Sequence, residues 1–522
     1  MNKFKLLLLL YAVCFLLENN TIYAQITSNG VDSLVEIAMK KFNVAGAAVA
    51  IVKDGKIVYK KGFGVKSVVT KQPVNEYTDF AIASNSKAFT TTALAILVEE
   101  GKLSWNDKVK DYIPEFRMYN DYVENNFTIQ DLLTHRSGLG LGAGDLTIFP
   151  DSNNFTIKDI LNNFQYFKPI SAFRTKWDYD NLLYMVAGEV IARVSGMSYE
   201  AFVQKRILEP LQMNNTYCSN AAMKDKSNLA MPHIEESGTL KALRPFEDMV
   251  NGAAAGILSN ANDMAAWMLL HLNKGKYGSD LQKQLFKEES QHELWKIHTV
   301  EEVNRDPRYN SHFRGYGLGW DLTDVKGYLK VSHTGDLTGM LSAVTMIPDI
   351  NLGIVVLTNT DNGGSAMMAI SKTIIDRYIG LKDFDWVKYY YSNLSKKDST
   401  ADEVIKKTWA TVNAAKNTKI NNEDYIGVYQ DAWFGKVEVF LKDNQLWFKS
   451  YRSPKLIGPM FFYKANTFAI KWIDREDDCD ALAIFSLDED GKAQGIKMKG
   501  ISPSIDFSYD FQDLNFQRVI KK

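Results

Sequence analysis

In the passage Phe80-Ala81-Ile82-Ala83-Ser84-Asn85-Ser86-Lys87-Ala88-Phe89-Thr90 a serine and a lysine stand three residues apart where a strong helical pattern begins. At that spacing both side chains leave the first turn on one face. A serine hydroxyl is a weak nucleophile until a neighbouring base takes its proton, and a lysine whose charged form is disfavoured by burial can be that base. The helix N-terminus would stabilise negative charge developing there. Ser-x-x-Lys also arises as an N-cap followed by a solvated lysine, so the pair alone leaves both readings open.

Two later passages carry compatible chemistry. Trp177-Asp178-Tyr179-Asp180-Asn181 places a tyrosine and an asparagine two apart at the entrance to a helix, where both can point into one cleft. Val331-Ser332-His333-Thr334-Gly335-Asp336 is expected at the end of a strand, with Gly335 letting a substrate or a backbone approach closely. Taken singly, the first is more simply a helix cap and the second a surface turn.

Order and spacing change the reading. Ser-x-x-Lys, then Tyr-x-Asn 95 residues on, then His-Thr-Gly 154 residues after that, resembles the serine β-lactamase and penicillin-binding-protein superfamily. The likeness is to its class C-like branch of DD-carboxypeptidases, D-aminopeptidases and esterases. Leu132-Leu133-Thr134-His135-Arg136-Ser137-Gly138-Leu139, the 188–196 passage, Glu209-Pro210-Leu211-Gln212-Met213 and Gly315-Tyr316-Gly317-Leu318-Gly319-Trp320 resemble that branch too, and the likeness covers residues 31–380. It implies an α+β domain, an antiparallel sheet flanked by helices with a helical subdomain. It implies Ser84 as the acylated nucleophile and Lys87 and Tyr179 as proton carriers, the first acceptor left open between them. Asn181, with His333, Thr334 and Gly335, would hold the substrate, and the backbone N–H groups of Ser84 and Asp336 would form the oxyanion hole. No metal or organic cofactor is implied.

His333 departs from the β-lactamase pattern, which has lysine there. An imidazole of ordinary pKa, about 6.5, is mostly neutral at pH 7, so its hold on a substrate carboxylate should grow on acidification. Efficient β-lactam hydrolysis is therefore not expected. His135, His233, His271, His292, His298 and His312 have no metal-ligand spacing and read as structural or surface residues. Cys218 and Cys479, far apart, allow one optional disulfide at most.

The elements that must position these residues form a pattern. Helix signals at 31–41, 87–100, 129–133, 157–164, 182–194 and 263–272 fall between an early strand pair, 44–52 and 57–59 around Asp54-Gly55, and late strands at 328–332, 341–347 and 352–358 followed by a helix at 365–378. A sheet built from both ends with helices inserted is an α+β arrangement. Residues 383–420 read as a polar linker, and 421–522, a series of short strands, as a small all-β barrel resembling the lipocalin-like domain appended to this branch. Residues 25–382 would then be the hydrolase domain. Residues 1–24, a basic start followed by an apolar run too short for a span, read as a secretory signal, which places the protein in the periplasm or outside the cell.

Composition is that of a globular protein: 46% of the 522 residues are hydrophobic and the net charge is −1, leaving no basic excess for nucleic acid. The expected partner is a small peptide, amide or ester, with oligomeric state open. The α/β-hydrolase class is disfavoured, since no Gly-x-Ser-x-Gly elbow occurs. A non-catalytic penicillin-recognising sensor, or a β-lactamase, is the alternative to a secreted acyl-enzyme hydrolase acting on D-residue peptides or small amides and esters.

Overall fold

The computed structural model describes residues 26–247, 250–303, 307–476 and 479–520; the expected signal segment lies outside them. The sheet is built from both ends of the first domain. Strands β1 (Gly46–Lys53) and β2 (Lys56–Gly64) make the expected hairpin. Strands β3 (Thr299–Val300), β4 (Arg314–Tyr316), β5 (Asp321–Val325), β6 (Tyr328–Leu337), β7 (Met340–Ile347) and β8 (Leu352–Thr358) complete an eight-stranded sheet ordered β2-β1-β8-β7-β6-β5-β4-β3. Every neighbouring pair in it is antiparallel.

Both faces of this sheet are covered, which explains why β1 reads as one unbroken apolar run. Ala47, Val49 and Ile51 join a core with helices α1 (Ser28–Phe42) and α5 (Gly363–Tyr378). Ala48, Ala50 and Val52 point the other way, toward α2 (Ser86–Glu99), α3 (Leu182–Ser195) and α4 (Ala261–Leu272). The two-residue period of a strand thus divides β1 between two cores. The alanines keep that second face shallow enough for α4 to lie across it.

Two expectations change. Strand β6 does not end before His333 but runs to Leu337, because 331–337 pair with 340–346 of β7. The segment 383–420 is not a loose linker: most of it is the 30-residue helix α6 (Trp386–Ala415). Its first turns place Trp386, Val387, Tyr390 and Leu394 on the α1/α5 core, and its last turns place Ile405, Trp409 and Val412 against the barrel. The polar residues Lys396, Ser399 and Thr400 are its exposed middle, a polarity the sequence shares with unstructured linkers.

The C-terminal region is a closed barrel of eight strands, β9 (Gly427–Asp431), β10 (Gly435–Lys442), β11 (Gln445–Ser450), β12 (Ile457–Lys464), β13 (Thr467–Ile470), β14 (Ala481–Leu487), β15 (Ala493–Gly500) and β16 (Asn515–Arg518), in chain order. The last of these carries a short polar sequence that gave no strand signal. The barrel packs directly on the helical subdomain. Trp433 meets Phe167 edge-on at 5.2 Å between ring centroids, and the Arg452 guanidinium donates to both oxygens of Asp159 at 3.0 and 2.8 Å. Cys218 and Cys479 are both buried, and no disulfide joins them.

Candidate active site

Ser84 lies in a one-turn 3₁₀ segment, Ala83–Asn85, that runs directly into α2. Ala83 is held at φ 47°, a left-handed conformation that costs a residue with a side chain about 1–3 kcal/mol. Lys87, one turn on, is fully buried. Its Nζ sits 3.1 Å from Ser84 Oγ, 2.7 Å from Asn181 Oδ1 and 3.0 Å from the Ala254 carbonyl, a partner for each ammonium hydrogen. Burial nevertheless outweighs the nearby carboxylates Asp145 and Asp180 and lowers the Lys87 pKa to about 7. Near neutrality about half of it is then the free amine, able to accept the Ser84 proton.

Tyr179 is hydrogen-bonded to Ser84, and burial drives its phenol pKa well above 10 despite that bond. Its ring lies 4.7 Å from Lys87 Nζ and rests on the His135 imidazole, centroids 4.2 Å apart. His135 is completely buried, and the Asp180 N–H donates to its Nδ1 at 3.1 Å, so the proton of the neutral ring sits on Nε2. The loop that carries His135 is pinned by Asp131, a buried carboxylate gripped by Arg136 and Arg174. His135 is thus a shelf under Tyr179, a role its sequence setting did not reveal.

His333 Nδ1 donates to the Thr334 carbonyl at 2.6 Å, and Nε2 faces the Tyr316 hydroxyl at 2.9 Å. A carbonyl only accepts, which fixes the neutral tautomer. Burial, with Lys87 nearby, lowers the His333 pKa to about 4. The expected charging on mild acidification is therefore corrected: this imidazole stays neutral from pH 5 upward. Gly335 needs a second correction. It is buried away from the cavity, and a Cβ there would lie 2.2 Å from the Ile82 carbonyl and 3.0 Å from Ala83 Cβ. Its smallness lets β6 press against the strained turn before Ser84 and leaves no surface for a substrate.

Ser84, Tyr179, Asn181, His333, Thr334 and Asp336 line one cavity of about 670 Å³, with Lys87 beneath its floor. The opposite wall comes from the barrel, whose part in specificity the sequence leaves open. It is the barrel loop between β15 and β16, which brings Ile505, Phe507 and Ser508 to the cavity, Phe507 meeting Tyr179 edge-on at 6.0 Å. Asn181 also has an unforeseen partner: its Nδ2 donates to Asp145 Oδ2 at 2.8 Å. The glycine-rich string 138–144 before Asp145 was the available signal, because Gly142 is where Phe507 approaches and Gly144, at φ 83°, seats the turn on Phe167 and Leu182. Among the described residues no group of three or more His, Cys, Asp or Glu is arranged to hold a metal ion.

A fold of this kind around a serine, a buried lysine and a tyrosine agrees with what comparison with known proteins finds. The chain belongs to the beta-lactamase family, whose model matches residues 31–374. Residues 413–518 match a second model, a domain of unknown function, DUF3471, which covers the barrel. Protein flp of Staphylococcus aureus (strain MW2) is 29% identical over 335 residues, 64% of this chain; the chain spans 63% of that protein's length. The unguisins hydrolase ungD' of Aspergillus campestris is 27% identical over 371 residues, 68% of this chain and 67% of its own length. In three dimensions the chain is similar to the octameric penicillin-binding protein homologue from Pyrococcus abyssi, with a TM-score of 0.60 at 20% identity, covering 94% of this chain and 99% of that one.

Proposed function

We propose that the protein is a secreted serine hydrolase working through an acyl-enzyme on peptides, D-residue peptides foremost, or on small amides and esters. The observation that carries this reading is the Lys87 amine, buried, lowered to about 7 and 3.1 Å from Ser84 Oγ. In this mechanism Lys87 takes the Ser84 proton as Oγ attacks the carbonyl carbon. Tyr179, whose phenol stays protonated far above neutral pH, is the poorer first acceptor and serves to donate to the leaving group and be reprotonated through Lys87. The backbone N–H groups of Ser84 and Asp336 receive the developing oxyanion, an interaction worth about 2.7–4 kcal/mol per donor. Water then releases the acyl group. That the related ungD' is a hydrolase by name supports the class, not the substrate.

The β-lactamase alternative is disfavoured by charge. Neutral His333 stands where those enzymes place a lysine, and Arg314, the one arginine or lysine among the described residues lining the cavity, is held by Glu301 at 3.1 Å and Asp321 at 3.3 Å. The deciding experiment treats the protein with a fluorophosphonate and looks for a mass shift on the peptide containing Ser84. A screen of D-amino-acid amides, D-Ala-D-Ala peptides, short esters and a chromogenic cephalosporin follows. Absence of labelling with intact fold would favour the non-catalytic sensor; rapid turnover confined to the cephalosporin would favour a β-lactamase.

A further inference from the structure

The barrel reaches the acyl-transfer centre by two side chains that do more than line a wall. Ser508 Oγ donates to Asp145 Oδ2 at 3.0 Å, the same oxygen that receives Asn181 Nδ2. Two residues on, the Asp510 carboxylate takes the Gly144 N–H on Oδ2 at 2.8 Å and the Leu146 N–H on Oδ1 at 2.9 Å, clamping the backbone on either side of Asp145. Asp145 and Asp510 are both fully buried. A carboxyl group there is costly unless each contact it makes is used.

An amide side chain can present either end to a neighbour. Asp145, as the acceptor for Asn181 Nδ2, leaves only Oδ1 to face Lys87 Nζ at 2.7 Å. Were the amide to turn over, its NH₂ would confront the lysine amine, and the nitrogen that Ser84 depends on would lose its closest partner. We infer that Asp145, Ser508 and Asp510 are positioning residues for the reaction: through them the C-terminal barrel fixes the Asn181 amide and, by it, the Lys87 amine beside Ser84. The linkage runs across domains, from residue 510 to residue 84, so the barrel is a component of the hydrolytic centre as well as a specificity wall.

This rests on the proposed hydrolase reading, and the test separates the two. Full-length variants are compared at pH 8, above the Lys87 value of about 7, where the free amine is already populated whatever the charge on Asp145, whose carboxyl pKa burial raises well above the ordinary range. Asp510→Asn puts an NH₂ against one of two backbone N–H groups and breaks the clamp without touching the cavity. It should lower kcat and the rate of Ser84 labelling by about 10²-fold, the cost of a displacement near 1 Å, with KM little changed. Asp145→Leu should do the same, whereas Asp145→Asn, whose amide oxygen can still accept from Asn181 and Ser508, should retain most of the rate. Thermal melting and near-ultraviolet circular dichroism check that each variant is folded. If wild type never labels, the hydrolase reading fails. If wild type labels and folded Asp510→Asn and Asp145→Leu label as fast, or only KM moves, the positioning role is overturned.

Discussion

The two walls of the cavity are built on different principles. One wall is regular structure: Ser84 at the mouth of a helix buried along most of its length, Lys87 under it, His333 inside the long strand β6. The other is a loop between two barrel strands whose leading side chain, Phe507, is 38% exposed and rests against Gly142 and Tyr179, while Ser508 and Asp510 beside it anchor the loop. Desolvation supplies reactivity on the first wall, where it lowers Lys87 and raises Tyr179. On the second it supplies anchorage, leaving an apolar tip free to meet substrates of varied shape. On the proposed reading the reacting groups sit on rigid elements, while the loop both shapes the cavity through Phe507 and braces the Asp145 turn through Ser508 and Asp510.

The harshest test of that division is Ser84→Ala, which removes one hydroxyl and should abolish turnover and covalent labelling with the fold intact; residual turnover would place the nucleophile elsewhere. Lys87→Ala and Tyr179→Phe should each lower kcat by about 10²-fold or more, the range of positioned acid–base groups. In wild type the amine form of Lys87 is populated above its value of about 7. Accordingly kcat/KM should fall as pH drops through 7, and a profile flat from pH 5 to 8 would remove Lys87 from the role of base.

On the loop side, Phe507→Ala should raise KM for bulky substrates by about tenfold, the scale of a lost apolar contact. Labelling by a small fluorophosphonate should stay near the wild-type rate, and a parallel loss of both would merge the two walls into one machine. The smallest effect is expected at His333. With its pKa near 4, the preference for a carboxylate-bearing substrate over its amide should be level between pH 5 and 8 in wild type. His333→Lys should tilt that preference toward the carboxylate; a wild-type preference that climbs on acidification would show the imidazole charging after all.

The reach of the sequence follows the same divide. Ser84, Lys87, Tyr179 and Asn181 were legible through the order and spacing in which their motifs resemble a known family, and a sheet drawn from both ends of the domain was legible because β1, β7 and β8 are continuous apolar runs; the order of the strands, and the short strands β3, β4 and β5, were not. His135 was passed over since nothing local separates a buried shelf from a surface imidazole. Asp145 had only the glycine-rich string before it as a signal, and Ser508 and Asp510 had none, because their meaning lies in contacts between residues 363 and more positions apart. Helix α6 was read only as one short helical pattern because the exposed polar residues Lys396, Ser399 and Thr400 interrupt its apolar face, a polarity shared with linkers that lack structure.

The pairing of β1 with β8, Ala47 beside Thr358, has a consequence for the order of synthesis. A chain emerging from its N-terminus displays Ser84 early, yet the strand that completes the sheet around it arrives some 270 residues later. The carboxylate that grips the Asp145 turn arrives only with Asp510. Contacts of such long sequence separation form slowly. If Ser84 is the nucleophile proposed above, it spends its early life unarmed, and hydrolytic competence comes to the molecule as one of the last events of its maturation.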